Sequence, residues 1–234
     1  MPKDYRALPL NEVRRADRSK PDDWIAAMLH RAPFAALATV DDGQPFINSN
    51  LFVYDEAAHA IYMHTAWVGR TRANVDADER VCFSVSEMGR LLPADEALEF
   101  SVEYSGVIVF GRAHVVEGAE AERGLQMLLD KYFPHLKPER DYRPIVAEEL
   151  ARTSVYKIAI DSWSGKQKAA DAEFPGAFFE RGGTANDCGE LCPLPAPFHN
   201  DDAHPQPCAS PRDGEGRSSG ARRGEVKKEM LNTS

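Results

Sequence analysis

The chain has 234 residues, 43% hydrophobic and 28% charged, with a net charge of −9. That is enough apolar material for one sizeable core, and the length fits one domain or one domain plus an extension. Residues up to Asp171 carry −6 and the remainder −3, so neither part is the basic surface that duplex nucleic acid or an anionic membrane attracts.

Further classes fall away on local pattern. No stretch approaches the ~20 apolar residues of a membrane span. The charged start, MPKDYRALPLNEVRRADR, lacks the apolar centre of a signal peptide. Cys82 lies in an expected strand and Cys188, Cys192 and Cys208 in the tail, which is not a secreted disulfide framework. A cytoplasmic protein is expected.

In chain order, Pro21 with Asp22 and Asp23 starts a helix, because acidic residues suit its positive end. Trp24, Ile25, Met28 and Leu29 give it an apolar stripe that ends near Pro33. Strands are expected at 34–40, 45–54 and 60–65, joined by the Asp41-Asp42-Gly43 turn and the polar stretch 55–59. A short helix follows at 69–77, a strand at 80–86 and a polar loop at 87–97. The run 101–117 is long for one strand, and Gly106 and Gly111 are expected to mark bulges or bends. Residues 119–133 form an amphipathic helix, with Leu125, Leu128, Leu129 and Tyr132 on one face. A shorter helix at 145–154 and a last strand at 154–163 complete the pattern. The expectation is a mainly β, α+β fold: an antiparallel barrel, closed or partly closed, with a few covering helices.

Periodicity stops near residue 172. From Phe174 on the chain holds half of the glycines and 7 of the 16 prolines, and its only Val, Ile or Leu residues are Leu191, Leu194, Val226 and Leu231. Such a segment buries too little apolar area to offset the cost of ordering its backbone. The expected division is a domain over 1–171 and a disordered tail over 172–234. Cys188, Cys192, Cys208, His199 and His204 do not make a metal site, because C-x3-C is not a common structural zinc spacing.

The chemistry concentrates in YMHTAWVGRTRANV, residues 62–75. A strand ends near His64 and Thr65, and a helix opens after Gly69 carrying Arg70 and Arg72. Free N–H groups at a helix start, two guanidiniums and the Thr65 hydroxyl make a phosphate pocket. The alternative is a solvated helix face, which spacing alone slightly favours. His64 reads either as a structural strand residue or as an acid, base or ligand beside that pocket. Asn48, Ser49 and Asn50 interrupt an apolar strand. They belong either to a groove for a heteroaromatic ring or to an exposed edge. Trp163 and Lys166 end the last strand, either as caps or as stacking and phosphate contacts. P-loop, G-x-G-x-x-G and G-x-S-x-G motifs are absent.

The blocks 37–55, 61–75 and 163–167, with RRADR (14–18), SVEYSGVIVFGRA and TSVYKIAIDSWSGK, resemble the FMN-binding split-barrel proteins related to pyridoxamine 5′-phosphate oxidase. The resemblance is to the nitroimidazole-resistance (Nim) branch, whose H-x-x-x-x-G-[RK] pattern His64, Gly69 and Arg70 match. It spans about residues 10–170 and implies a homodimeric split barrel with two FMN sites at the subunit interface. It implies that Asn48, Ser49 and Asn50 lie along the flavin ring, that Arg70 and Arg72 meet the phosphate, and that His64 lies by the ring or substrate. It also implies that Trp163 and Lys166 reach the neighbouring subunit's site. The implied activity is reduction of nitroimidazole-type or other heteroaromatic substrates, with NAD(P)H as electron donor. The oxidase branch's S-R-K is Gly69-Arg70-Thr71 here, and the oxidase's C-terminal substrate signature is missing. The same fold hosts haem carriers and deazaflavin enzymes, so a non-catalytic flavin- or haem-binding module is the alternative.

Overall fold

The computed structural model describes residues 4–180. Its centre is an antiparallel sheet of eight strands: β1 (Ser19–Lys20), β2 (Ala35–Asp41), β3 (Gln44–Asn50), β4 (Val53–Asp55), β5 (Ala60–Ala66), β6 (Arg80–Leu92), β7 (Ser101–Val116) and β8 (Thr153–Lys168). The order is β3-β2-β6-β7-β8-β5-β4, with β1 added to β8. Four helices accompany it: α1 (Asp22–Arg31), α2 (Arg70–Ala77), α3 (Gly118–Tyr132) and α4 (Ala147–Leu150). Among the described residues no ladder joins β3 to β4, so the barrel is split there.

The β2–β3 hairpin turns at Asp42 and Gly43, with φ of 48° and 76°. Two positive φ values in a two-residue loop match the right-handed twist of the flanking strands. The run expected as one strand over 45–54 is broken at Leu51–Phe52. Phe52 turns fully into the core, and the Tyr132 hydroxyl of α3 takes over the duty of a ladder. It accepts the Phe52 N–H at 3.1 Å and lies 3.0 Å and 2.9 Å from the carbonyls of Phe52 and Pro33, one of which receives its proton.

Other boundaries shift for equally local reasons. β6 continues through the stretch expected as loop, to Leu92, because Arg90 grips Glu103 on β7 at 2.8 Å. The helix expected over 145–154 is only Ala147–Leu150, because Thr153 already pairs with Ala66 in the β8–β5 ladder. β8 runs on to Lys168, five residues past its expected end. Gly111 does sit at a ladder irregularity, whereas Gly106 pairs in register with Ser86 and Lys166. The second irregularity lies between Met88 and Leu91.

β5 is covered on both faces, which explains its unbroken apolar run. Ile61 and Met63 join α1's Ile25, Met28 and Leu29 in the main core, while Ala60 and Tyr62 join Ala121 and Leu128 of α3 in a second cluster. Residues 169–180 stay on the sheet. Arg90 donates to the carbonyls of Asp171 and Ala172, and Phe178 exchanges backbone hydrogen bonds with Leu91. The rest of the tail expected to be disordered, with its cysteines and histidines, lies outside the described residues.

Candidate functional site

α2 starts at Arg70, directly after the β5 exit, and no side chain caps its N-terminus. Its first N–H groups therefore have no intrahelical partner and face outward. Gly69 precedes them in extended backbone, and a Cβ placed there would meet nothing within 4 Å. Trp67, Gly69, Arg72 and Asp76 line a recess of about 260 Å³ beside this end.

The two arginines are held differently. Arg70, 60% exposed, meets only Asp41 at 3.0 Å. Arg72 donates its Nε–H to Asp76 at 2.7 Å, reaches the Ser154 hydroxyl at 3.3 Å and stacks over Trp67, 4.6 Å from the ring centroid. Arg72 is thus pre-set by three contacts, and Arg70 is free to exchange a solvated carboxylate for another anion.

β3 supplies the polar run. Asn48 donates to the Thr71 hydroxyl at 3.2 Å, tying β3 to α2. Asn50 donates to the His64 carbonyl and accepts the Leu51 N–H at 2.8 Å. Its amide thereby spans the seam that the ladder leaves open, and it is committed to the protein. Ser49 lies between them, exposed and pointing away. The Thr65 hydroxyl turns inward to Tyr156 at 2.9 Å and is not presented at the start of α2.

His64 is half-buried, and burial pushes its pKa below the usual imidazole range. Its ring makes no hydrogen bond to any described residue. It lines a second, larger cavity of about 510 Å³ beneath α3. The structure thus ties Asn48 to α2 through Thr71 and Asn50 to the His64 backbone, and sets Gly69, Arg70 and Arg72 at one helix start, while the His64 ring opens into the other cavity. Trp163 and Lys166 are elsewhere in the same chain: Trp163 donates to Asp22 at 2.8 Å and packs on His59, and Lys166 lies over Tyr104. Trp163 is nine residues beyond Ser154 on β8, about 30 Å at strand rise.

Sequence reasoning passed over Trp67, Thr71 and Ser154. Trp67, two residues before Gly69, carried a readable signal as a flat partner for a nearby guanidinium. Ser154 carried none, because only the β5–β8 register brings it to Arg72.

An eight-stranded split antiparallel sheet with a bare, arginine-flanked helix start at the end of β5 defines a split-barrel class of protein. The family model of pyridoxamine 5′-phosphate oxidase matches residues 21–167, and the chain belongs to that family. No match was found among curated proteins. Among solved structures, the flavocytochrome Anf3 from Azotobacter vinelandii is 22% identical, with a TM-score of 0.59 over 80% of this chain and 92% of its own. The FAD and heme binding protein from Mycobacterium smegmatis is 22% identical, with a TM-score of 0.60 over 77% and 95%. A protein assigned to 5-nitroimidazole antibiotic resistance from Bacteroides thetaiotaomicron is 19% identical, with a TM-score of 0.51 over 63% and 84%. These likenesses establish the fold.

Proposed function

We propose that the chain is a flavin-binding oxidoreductase that takes FMN and, with NAD(P)H as hydride donor, reduces nitroimidazole-type or other heteroaromatic acceptors. The observation that carries this reading is the α2 start. It has an uncapped helix end, a glycine before it with empty space in front, and the exposed, loosely held Arg70. Those are the groups a phosphate monoester needs. Family membership and the names of the flavin-containing neighbours support the same reading.

In this reading Arg70 and the first N–H groups of α2 hold the phosphate, and Arg72, braced by Asp76 and Trp67, supplies the second charge. Ser49 offers the free hydroxyl on β3, while Asn48 and Asn50 keep that strand seated. A bound flavin supplies two-electron transfer between donor and acceptor. His64, whose pKa burial lowers, favours the neutral imidazole and orients an acceptor by hydrogen bonding.

The active unit is read as a homodimer. β3 is an edge strand, with Ile47 65% exposed and Phe46, Val40 and Phe34 also open to solvent. Such edges are ordinarily covered. A partner would also bring a second Trp163 and Lys166 within reach of the site.

The test is flavin binding by Arg70→Ala. Loss of a charge-assisted contact worth about 1.5–3 kcal/mol weakens FMN affinity by roughly 10–100-fold, while the melting temperature stays nearly unchanged because the Asp41 pair is solvated. A protein that stays colourless and leaves FMN fluorescence unquenched overturns the reading.

A further inference from the structure

The cavity beneath α3 is separate from the helix-end recess. Leu125, Leu129 and Phe133 of α3 and its C-terminal flank form one wall, Ile145 closes another, and Leu51 and His64 face them. At about 510 Å³ it falls in the range of small-molecule sites. Its walls are apolar and its polar groups few.

Two of those polar groups make no side-chain hydrogen bond among the described residues. The His64 ring bonds to no described residue, although the residue's backbone carbonyl is held by Asn50. Arg152, exposed at the rim, makes no hydrogen bond or ion pair through its guanidinium among the described residues. Glu149, the other charge on the lining, is already taken by Arg143 at 2.8 Å and 3.2 Å. The Tyr132 and Thr153 hydroxyls are likewise engaged with backbone, Thr153 with the Glu149 carbonyl. An apolar chamber with one imidazole open to a hydrogen bond and, at its mouth, a guanidinium that feels the Glu149 carboxylate without bonding to it has a definite complement.

We infer that this cavity binds an apolar organic monocarboxylate, with its hydrocarbon part between α3 and His64 and its carboxylate on Arg152. Burial of the apolar body supplies most of the affinity. The guanidinium supplies the preference for an acid over its neutral analogue. Because burial keeps His64 uncharged, it adds a hydrogen bond without a second anchoring charge. The inference shares His64 with the acceptor contact proposed above, but it rests on the cavity and Arg152 and requires no bound flavin.

The experiment uses the full chain, with and without added FMN, and 8-anilinonaphthalene-1-sulfonate as fluorescent reporter. Decanoate and decanol, and 2-naphthoate and 2-naphthol, serve as competitors. The acids are expected to displace the reporter at about tenfold lower concentration than the alcohols, with FMN present or absent, as one charge-assisted contact of about 1.4 kcal/mol requires. Arg152→Gln, an exposed change that leaves the core intact, is expected to remove the preference and keep the binding of the alcohols. Leu125→Trp puts a larger side chain into the chamber and is expected to weaken displaceable binding of acids and alcohols alike. Equal displacement by acid and alcohol in the wild type overturns the inference, as does an unchanged preference in Arg152→Gln. Displaceable binding that is unchanged in Leu125→Trp places the reporter elsewhere and also overturns it. Haem titration giving a Soret band that His64→Gln abolishes would assign the chamber to haem instead. Failure of FMN to bind, with the acid preference intact, sinks only the flavin reading.

Discussion

Arg70 and Arg72 stand two positions apart on one helix, yet only their surroundings decide what each can do. Arg72 is fixed by a carboxylate, a hydroxyl and an indole face, so it orders the recess before any ligand arrives. Arg70 is held by one solvated carboxylate and can be given up to an anion. Spacing could not separate the two, because Asp41 and Ser154 reach them from 29 and 82 residues away. His64 leads to a pH prediction at the same scale. Burial lowers its pKa in the folded chain below the ordinary 6.5, so below that value the unfolded chain binds more protons and stability falls as the solution is acidified. His64→Gln is therefore expected to lose less stability than wild type between about pH 7.5 and about pH 5, measured by urea denaturation. Identical losses would show that the imidazole is as well solvated folded as unfolded.

At the scale of elements, legibility followed the range of the forces. α1, α3, the β2–β3 turn and the long β7 were readable because acidic first turns, apolar stripes and an Asp-Gly turn act within a few residues. The break between β3 and β4 was not, because its cause is the hydroxyl of Tyr132, 80 residues away. Nor was the extension of β6, which depends on Arg90 meeting Glu103. The two glycines flagged in β7 looked alike in sequence. Only Gly111 proves constrained: a Cβ there would lie 2.2 Å from the Ala159 carbonyl oxygen, whereas at Gly106 the nearest atom is an ordinary 3.6 Å away. Gly111→Ala is expected to destabilise the fold by roughly 2–3 kcal/mol, and Gly106→Ala by less than about 1 kcal/mol. Chemical denaturation of both variants gives the comparison, and equal effects would refute it.

At the scale of the molecule, the split barrel and the helix that opens after Gly69 were readable from ordered blocks of sequence, while the link across the open seam was not. Asn50, read in sequence as a ring contact or an exposed edge residue, ties β3 to β5 through the His64 carbonyl. The segment after β8 adds to the stability of the whole. Hydrogen bonding from the Arg90 guanidinium, joined by the Ala170 and Arg90 backbone N–H groups, holds Glu103 at about 2, against 4.5 ordinarily. Both side chains are largely covered, at 18% and 16% exposed. A depressed carboxyl stabilises the fold above about pH 4.5, and that contribution is lost as pH falls toward about 2. Glu103→Gln is expected to lower stability at neutral pH by at most about 3 kcal/mol and to flatten this acid limb, followed by thermal melts across the range. An unchanged acid limb would remove the Arg90–Glu103 pair from the account.

The position of β8 has a consequence for how the chain is made. It is the last strand among the described residues, yet it lies between β7 and β5 and also receives β1. β5 pairs with it across some 90 residues, from Ala66 with Thr153 to Ala60 with Ala159. On a ribosome, the β4–β5 hairpin and the flank of β7 therefore emerge with nothing to pair to until residue 168 has cleared the exit. A lone hairpin is marginal in water, and such distant closures are slow. The nascent chain waits with unpaired strand edges exposed, the state in which β proteins aggregate. Chains cut short before β8 should accumulate in inclusion bodies, and slower translation should not rescue them.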